Sequence, residues 1–218
     1  MKLFRSCFFA ALLALGPAVS IARAGDDWEY WSYYGVTAKL PHKLQLGAEQ
    51  RFRFRNDMSD FFYVQTNFGL WWNAHEHLTL GTFYSFIEED KSGEWRDENR
   101  WTMEATVKAS LGPLRFSDRN RFEQRWHEVG GTGQRYRNSL KMEWPIKVRG
   151  RKVSPYVYDE VFYDFEKDEL SRNRLSTGVT VELTRQLSLE IFYILQSDRT
   201  GTDWNERNVV GSLLKASF

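Results

Sequence analysis

From Leu44 to Arg55 the chain alternates apolar and polar residues. Leu44, Leu46, Ala48, Phe52 and Phe54 point one way, and Gln45, Gly47, Glu49, Arg51, Arg53 and Arg55 point the other. A period of two predicts a β-strand with one apolar and one charged face. A helix would spread both kinds of residue over every side. Further stripes follow: Phe62, Val64, Thr66, Phe68, Leu70 and Trp72; Leu78 to Phe86; Trp101 to Leu111; Tyr136 to Val148; Leu175 to Leu183; Leu187 to Leu195. Less regular strands are predicted over roughly 28–40, 114–126, 153–165 and 207–218. No segment after residue 25 has helical periodicity.

The connections sort by length. Short ones are predicted at Pro41-His42, Asn73–Glu76, Gly112-Pro113, Arg149–Lys152 and Thr184–Gln186. Longer polar ones are predicted at Asn56–Asp60, Glu88–Asn99, His127–Gln134, Glu166–Arg172 and Ser197–Glu206. Long strands joined by alternating short turns and long loops predict an all-β, antiparallel, up-and-down transmembrane β-barrel. Eleven segments are legible, whereas single-chain bacterial barrels have an even number of strands. The expectation is ten to twelve strands, with the path of 28–40 open. Aromatics near the strand ends (Phe61, Phe62, Trp101, Trp126, Tyr163 and Phe165 at one, Trp71, Trp72, Trp144 and Phe116 at the other) predict two interfacial girdles. A soluble barrel with a greasy interior is the competing fold.

The chain starts differently. Lys2 and Arg5 precede an apolar run, Phe8–Leu15, and Ala22-Arg23-Ala24 offers a small-x-small site. This predicts a signal peptide over 1–24, cleaved after Ala24, with the barrel at 25–218. The run is too short to span a bilayer comfortably. Cys7, the single cysteine, falls within the leader, so no disulfide is available. The expected location is the bacterial outer membrane, in a Gram-negative cell. The expected partners are outer-membrane lipid and, through a C-terminal strand ending in Phe218, the outer-membrane assembly machinery. The barrel is expected to be a monomer.

The 30 Lys+Arg nearly balance the 29 Asp+Glu, which argues against a nucleic-acid partner. Their distribution is uneven. The polar stripes carry Arg51, Arg53, Arg55, Arg115, Arg119, Arg121, Arg125, Arg135, Arg137 and Arg174, with Lys108, Lys141, Lys147, Arg207 and Lys215. Against these stand Glu49, Glu104, Glu123, Glu143, Glu160, Glu182 and Glu190, with Asp164. Turned inward, these predict a lumen that leans positive. Two readings stay open. Arginine–glutamate ladders can fill a narrow barrel without any transport, since buried charges must be paired. Alternatively, basic rows can favour anions in a narrow channel for small acidic solutes.

Catalysis is the third class. An outer-leaflet lipid enzyme needs a nucleophile and a base near the outer surface. His127, with Ser139 and Asp164, is the only candidate set, and no motif supports it. The expectation is no enzyme, no cofactor and no metal. His75-x-His77 lies in a predicted turn, where histidines are usually solvated. Gly130-Gly131-Thr132-Gly133 lacks the lysine and helix of a phosphate loop.

Several runs resemble a known family: Arg119-Asn120-Arg121-Phe122-Glu123-Gln124-Arg125, then Arg135-Tyr136-Arg137-Asn138-Ser139-Leu140, then Pro155 to Tyr163 (PYVYDEVFY), then Asn173-Arg174-Leu175 with Gly178-Val179. Together they resemble the bacterial domain of unknown function 2490, over essentially the whole chain after the leader. The resemblance implies an outer-membrane β-barrel and no agreed activity, so it assigns no functional residue. The small monomeric porins for acidic oligosaccharides are similar in size and luminal arginines, a likeness of architecture alone.

Overall fold

A computed structural model describes residues 28–218; the expected leader and its cleavage site lie outside them. The strands are β1 (Trp28–Lys39), β2 (Leu44–Arg55), β3 (Asp60–His75), β4 (Leu78–Lys91), β5 (Glu94–Leu111) and β6 (Leu114–His127). They continue with β7 (Gly131–Glu143), β8 (Ile146–Val148), β9 (Arg151–Asp164), β10 (Glu169–Glu182), β11 (Leu187–Thr200) and β12 (Asp203–Ser217). All join one sheet, closed on itself through the pairing of β1 with β12. Among the described residues the wall has eleven staves. The short β8 pairs only with β9, resuming the line of β7 after a break at Trp144-Pro145. Pro145 has no N–H to give the ladder, which accounts for the interruption.

The uneven strand number is real and has a simple consequence. Consecutive wall strands are antiparallel, but an odd ring must place two parallel strands side by side somewhere. That place is the seam, where Trp28 pairs with Asn208 and Val36 with Ala216 in parallel register. The segment at 28–40 is therefore an ordinary wall strand, and the even-number rule is what fails.

The predicted alternation of loop length fails too. The five connections predicted to be long shrink to two to four residues, at 56–59, 92–93, 128–130, 165–168 and 201–202. Strand pairing continues to Lys91↔Glu94 and Thr200↔Asp203. Ser92 and Gly93 both adopt positive φ, as a two-residue hairpin turn requires. Polar composition at those ends marks hairpins standing in water, not loss of strand.

Outward-facing side chains are mostly apolar and exposed, including Phe68, Trp72, Phe86, Met103, Val107 and Ile191. Inward-facing ones are mostly polar and buried. This inversion separates the fold from a soluble barrel, which hides its grease inside. Two aromatics depart from the stripes. A register shift at Arg53/Phe54 turns Phe62 inward, where it packs with Tyr63 and Ile87. Trp71 also points inward, not to a girdle. It lies across Gly69 and Gly81, where an added Cβ would stand 2.5 Å from the indole at either position. Outside, on β6, β7, β9 and β10, a small polar cluster interrupts the apolar belt. Asn138 donates to Asp118 (2.6 Å) and Asn120 (3.2 Å), and Asn173 donates to Asp159 (2.8 Å).

Candidate functional site

The candidate site is the lumen, built from alternate residues on every stave. Three carboxylates organise its upper half. Glu123 is 1% exposed and meets Arg135 at 2.6 Å and Arg137 at 2.7 Å, with Arg100 at 3.9 Å. Glu160, 2% exposed, meets Arg137 at 2.8 Å and Arg119 at 3.0 Å, with Arg174 at 3.8 Å. Glu98 meets Arg100 at 2.6 Å and Arg125 at 2.8 Å. The pleat dictates this arrangement. Arg119, Arg121, Glu123 and Arg125 are alternate residues of β6, so they face one way, opposite Arg135, Arg137 and Ser139 of β7. A second knot sits beside the seam, where Asp198 takes Arg172 and Arg207, and Arg207 also reaches Glu29 at 2.9 Å.

Guanidiniums outnumber carboxylates in this layer. Eight arginines (Arg100, Arg119, Arg125, Arg135, Arg137, Arg172, Arg174, Arg207) share five acids (Glu29, Glu98, Glu123, Glu160, Asp198), and Arg53 stands among them as a ninth. Aromatic faces take up part of the excess. Arg53 is held between the rings of Trp31 (4.0 Å) and Tyr63 (4.1 Å) and has no carboxylate within 4 Å among the described residues. Phe162, 1% exposed, has four guanidiniums around it: Arg137 at 4.5 Å, Arg174 at 4.9 Å, Arg135 at 5.3 Å and Arg172 at 5.7 Å. A ring quadrupole favours a nearby cation, more so away from water.

Below this layer the lumen opens. A cavity of about 610 Å³ is lined by Arg51, Lys108, Arg119, Arg121, Lys141 and Lys215, with Glu49, Glu104 and Glu190 the acids on its wall and Glu160 at its roof. Arg51 pairs with Glu49 at 2.5 Å and Arg121 with Glu104 at 2.7 Å. The Tyr156 hydroxyl donates to Glu190. A shallower chamber of about 390 Å³ at the short-turn rim shares Lys108, Ser117 and Lys141 with the cavity and carries Arg115 and Glu143. The cup therefore opens at the end where the chain finishes.

Most of the residues expected in the lumen are there. The exceptions lie at the strand ends. Arg55 bonds Asp60 at 2.7 Å at the upper rim, Glu143 and Arg115 stand at the lower rim, and Glu182 pairs with Lys152 at 2.7 Å in water. Lys147, on β8 beyond the break at Trp144-Pro145, is exposed. The residues missed are Glu29, Glu98, Arg100, Arg172 and Asp198. Glu98, Arg172 and Asp198 lie in segments whose polar composition predicts loops, although Arg96, Glu98, Arg100, Thr102 and Glu104 continue one period-two stripe. The would-be catalytic set is not assembled. Ser139 pairs across from Arg119, eight residues from His127 along β6, and eight strand residues span roughly 26 Å. His127 instead approaches Glu98 at 3.5 Å. Among the described residues no three potential metal ligands cluster.

A closed up-and-down ring of long strands, apolar outside and charged inside, defines a barrel of the transmembrane class. Its fold is similar to the beta domain of the Bordetella autotransporter BrkA, with a TM-score of 0.50 at 13% identity over 78% of this chain and 79% of that one. The family described as Protein of unknown function (DUF2490) matches residues 28–207, and the chain belongs to it. An uncharacterized protein of Methylorubrum extorquens is 26% identical over 213 residues, covering 93% of this chain and 92% of the relative.

Proposed function

We propose that this protein is an outer-membrane β-barrel that is closed to through-passage at rest, its lumen sealed by an arginine–glutamate–aromatic plug. One observation carries the reading. Trp31, Phe162, Glu29, Glu123 and Glu160 face the lumen from β1, β6 and β9, and each is at most 2% exposed, covered by its neighbours. A conducting pore keeps such residues wet. The surplus of guanidinium gives the interior its anion-leaning character, which governs selectivity whenever the plug yields. The apolar belt suits lipid as the surrounding partner, and the leader expected at 1–24 supplies export.

Conductance in a planar bilayer tests this. The refolded barrel should be electrically silent. The double variant Glu123→Gln/Glu160→Gln leaves its arginines uncompensated, and should show discrete openings that prefer chloride over potassium. Steady openings of the unaltered barrel would overturn the reading.

A further inference from the structure

The lower cup contains a block of hydrogen-bond donors that the plug does not use. Arg119 of β6 pairs directly across from Ser139 of β7, and Ser117 from Lys141, while Lys108 of β5 pairs with Ser117 on its other side. All five point inward and line the same cavity. Directly opposed side chains on neighbouring strands sit with Cβ atoms about 5 Å apart, and those two along a strand about 7 Å apart. Five donor-bearing side chains thus occupy one small patch of wall.

Their donors are largely unspent. The hydroxyls of Ser117 and Ser139 make no hydrogen bond among the described residues. Lys108 donates only to Thr79, at 2.8 Å, and meets no carboxylate within 4 Å. Lys141 lies 4.0 Å from the Tyr156 ring, with Glu143 at 3.6 Å on its solvent side. Arg119 shares Glu160 with Arg137, and its Nε–H is buried without an acceptor. Both Arg119 (32% exposed) and Lys141 (30%) remain open to the cavity, whereas Glu160 beside them is sealed at 2%. Three cations therefore share one buried carboxylate and one at the rim, and the cup's lining as a whole is cation-rich.

We propose that this block, Lys108, Ser117, Arg119, Ser139 and Lys141, is a binding site for a dianionic oxyanion of the phosphate class. Surplus cations on the wall of a cavity concentrate counter-anions there. Two hydroxyls between three cationic groups provide more donors than a single carboxylate can satisfy, and a tetrahedral phosphate has the acceptors to take them. The rim chamber shares Lys108, Ser117 and Lys141 with the cavity, so a phosphate ester can seat its phosphoryl group on the block and leave its remainder in the mouth beside Arg115. The site stands whether or not the barrel conducts.

Isothermal titration of the detergent-folded barrel with inorganic phosphate at fixed ionic strength tests the site without reading conductance. One saturable site is expected, with acetate and chloride competing at least tenfold more weakly. Ser117→Ala/Ser139→Ala keeps every charge and should weaken phosphate at least tenfold. Lys141→Gln should do the same. Lys215→Gln removes a charge from the far wall of the same cup and should change affinity less than twofold. No saturable binding overturns the proposal. So does equal loss in Lys215→Gln, or no loss in the double serine variant, since a diffuse positive cup would then suffice. Competition by acetate equal to that of phosphate overturns the dianion assignment. Comparing glycerol phosphate with inorganic phosphate distinguishes an ester ligand from the free ion.

Discussion

At the residue scale, Phe162 concentrates the logic of the plug. A phenylalanine on a polar stripe looks misplaced in sequence, yet its ring stands among four guanidiniums that lack enough carboxylates. Phe162→Ala should lower stability by about 3–5 kcal/mol, as large buried truncations do, and should let water into the upper lumen. Urea unfolding followed by tryptophan emission measures the first, and conductance the second. Gly211 makes a complementary prediction. A Cβ there would collide with the Phe192 ring and the Trp31 carbonyl, so Gly211→Ala should cost roughly 1–3 kcal/mol, the usual range for overpacking. On the outer wall, Asp118→Asn and Asp159→Asn keep an acceptor for their asparagine partners and remove charge from an apolar belt. Each should leave stability unchanged or raise it, because carboxylates facing lipid are costly. The same unfolding midpoints decide.

At the element scale, alternation made the stripes of β2, β5 and β7 legible, with their faces correctly assigned. It failed where geometry changes the count. Strict alternation predicts Phe62 outward, because a bulge adds a residue to one strand without any mark in the residue pattern. Its place near a strand end predicts Trp71 for a girdle, because only the fold reveals the glycines beneath it. Glu98 and Arg172 were lost because a strand standing in water is as polar as a loop, so its composition hides its pairing. The parallel seam was legible only as an arithmetical conflict between eleven strands and a downward-running first segment. It can be tested directly. Ser32 and Ser212 are register partners at the seam, within the Cα separation a disulfide spans. The variant Ser32→Cys/Ser212→Cys should form an intramolecular disulfide, seen as faster migration of the unreduced, denatured chain. Ser32→Cys paired with a cysteine at Leu195, one strand further round, should not.

At the scale of the whole molecule, the barrel divides across its axis. The upper half is an ion-paired layer with buried carboxylates and the lower half a wider cup lined by cations. The division follows from side-chain volume. Arginine, phenylalanine and tryptophan fill the ring at the level of β9's Phe162. Serine and threonine at Ser117, Ser139 and Thr79 leave room lower down. Residue identity gave the sign of the lumen, but whether it was open depended on how side chains from eleven staves meet. No single strand contains that information.

The parallel seam also decides where a label on each end of the chain would be found. In an even-stranded barrel both termini lie at the same rim. Here β1 descends beside a descending β12, so Trp28 and Ser217 stand at opposite rims of the barrel. A cysteine label at Trp28→Cys and another at Ser217→Cys would be accessible from opposite sides of the membrane. The start of β1 and the end of β12 thus report on two different solvents.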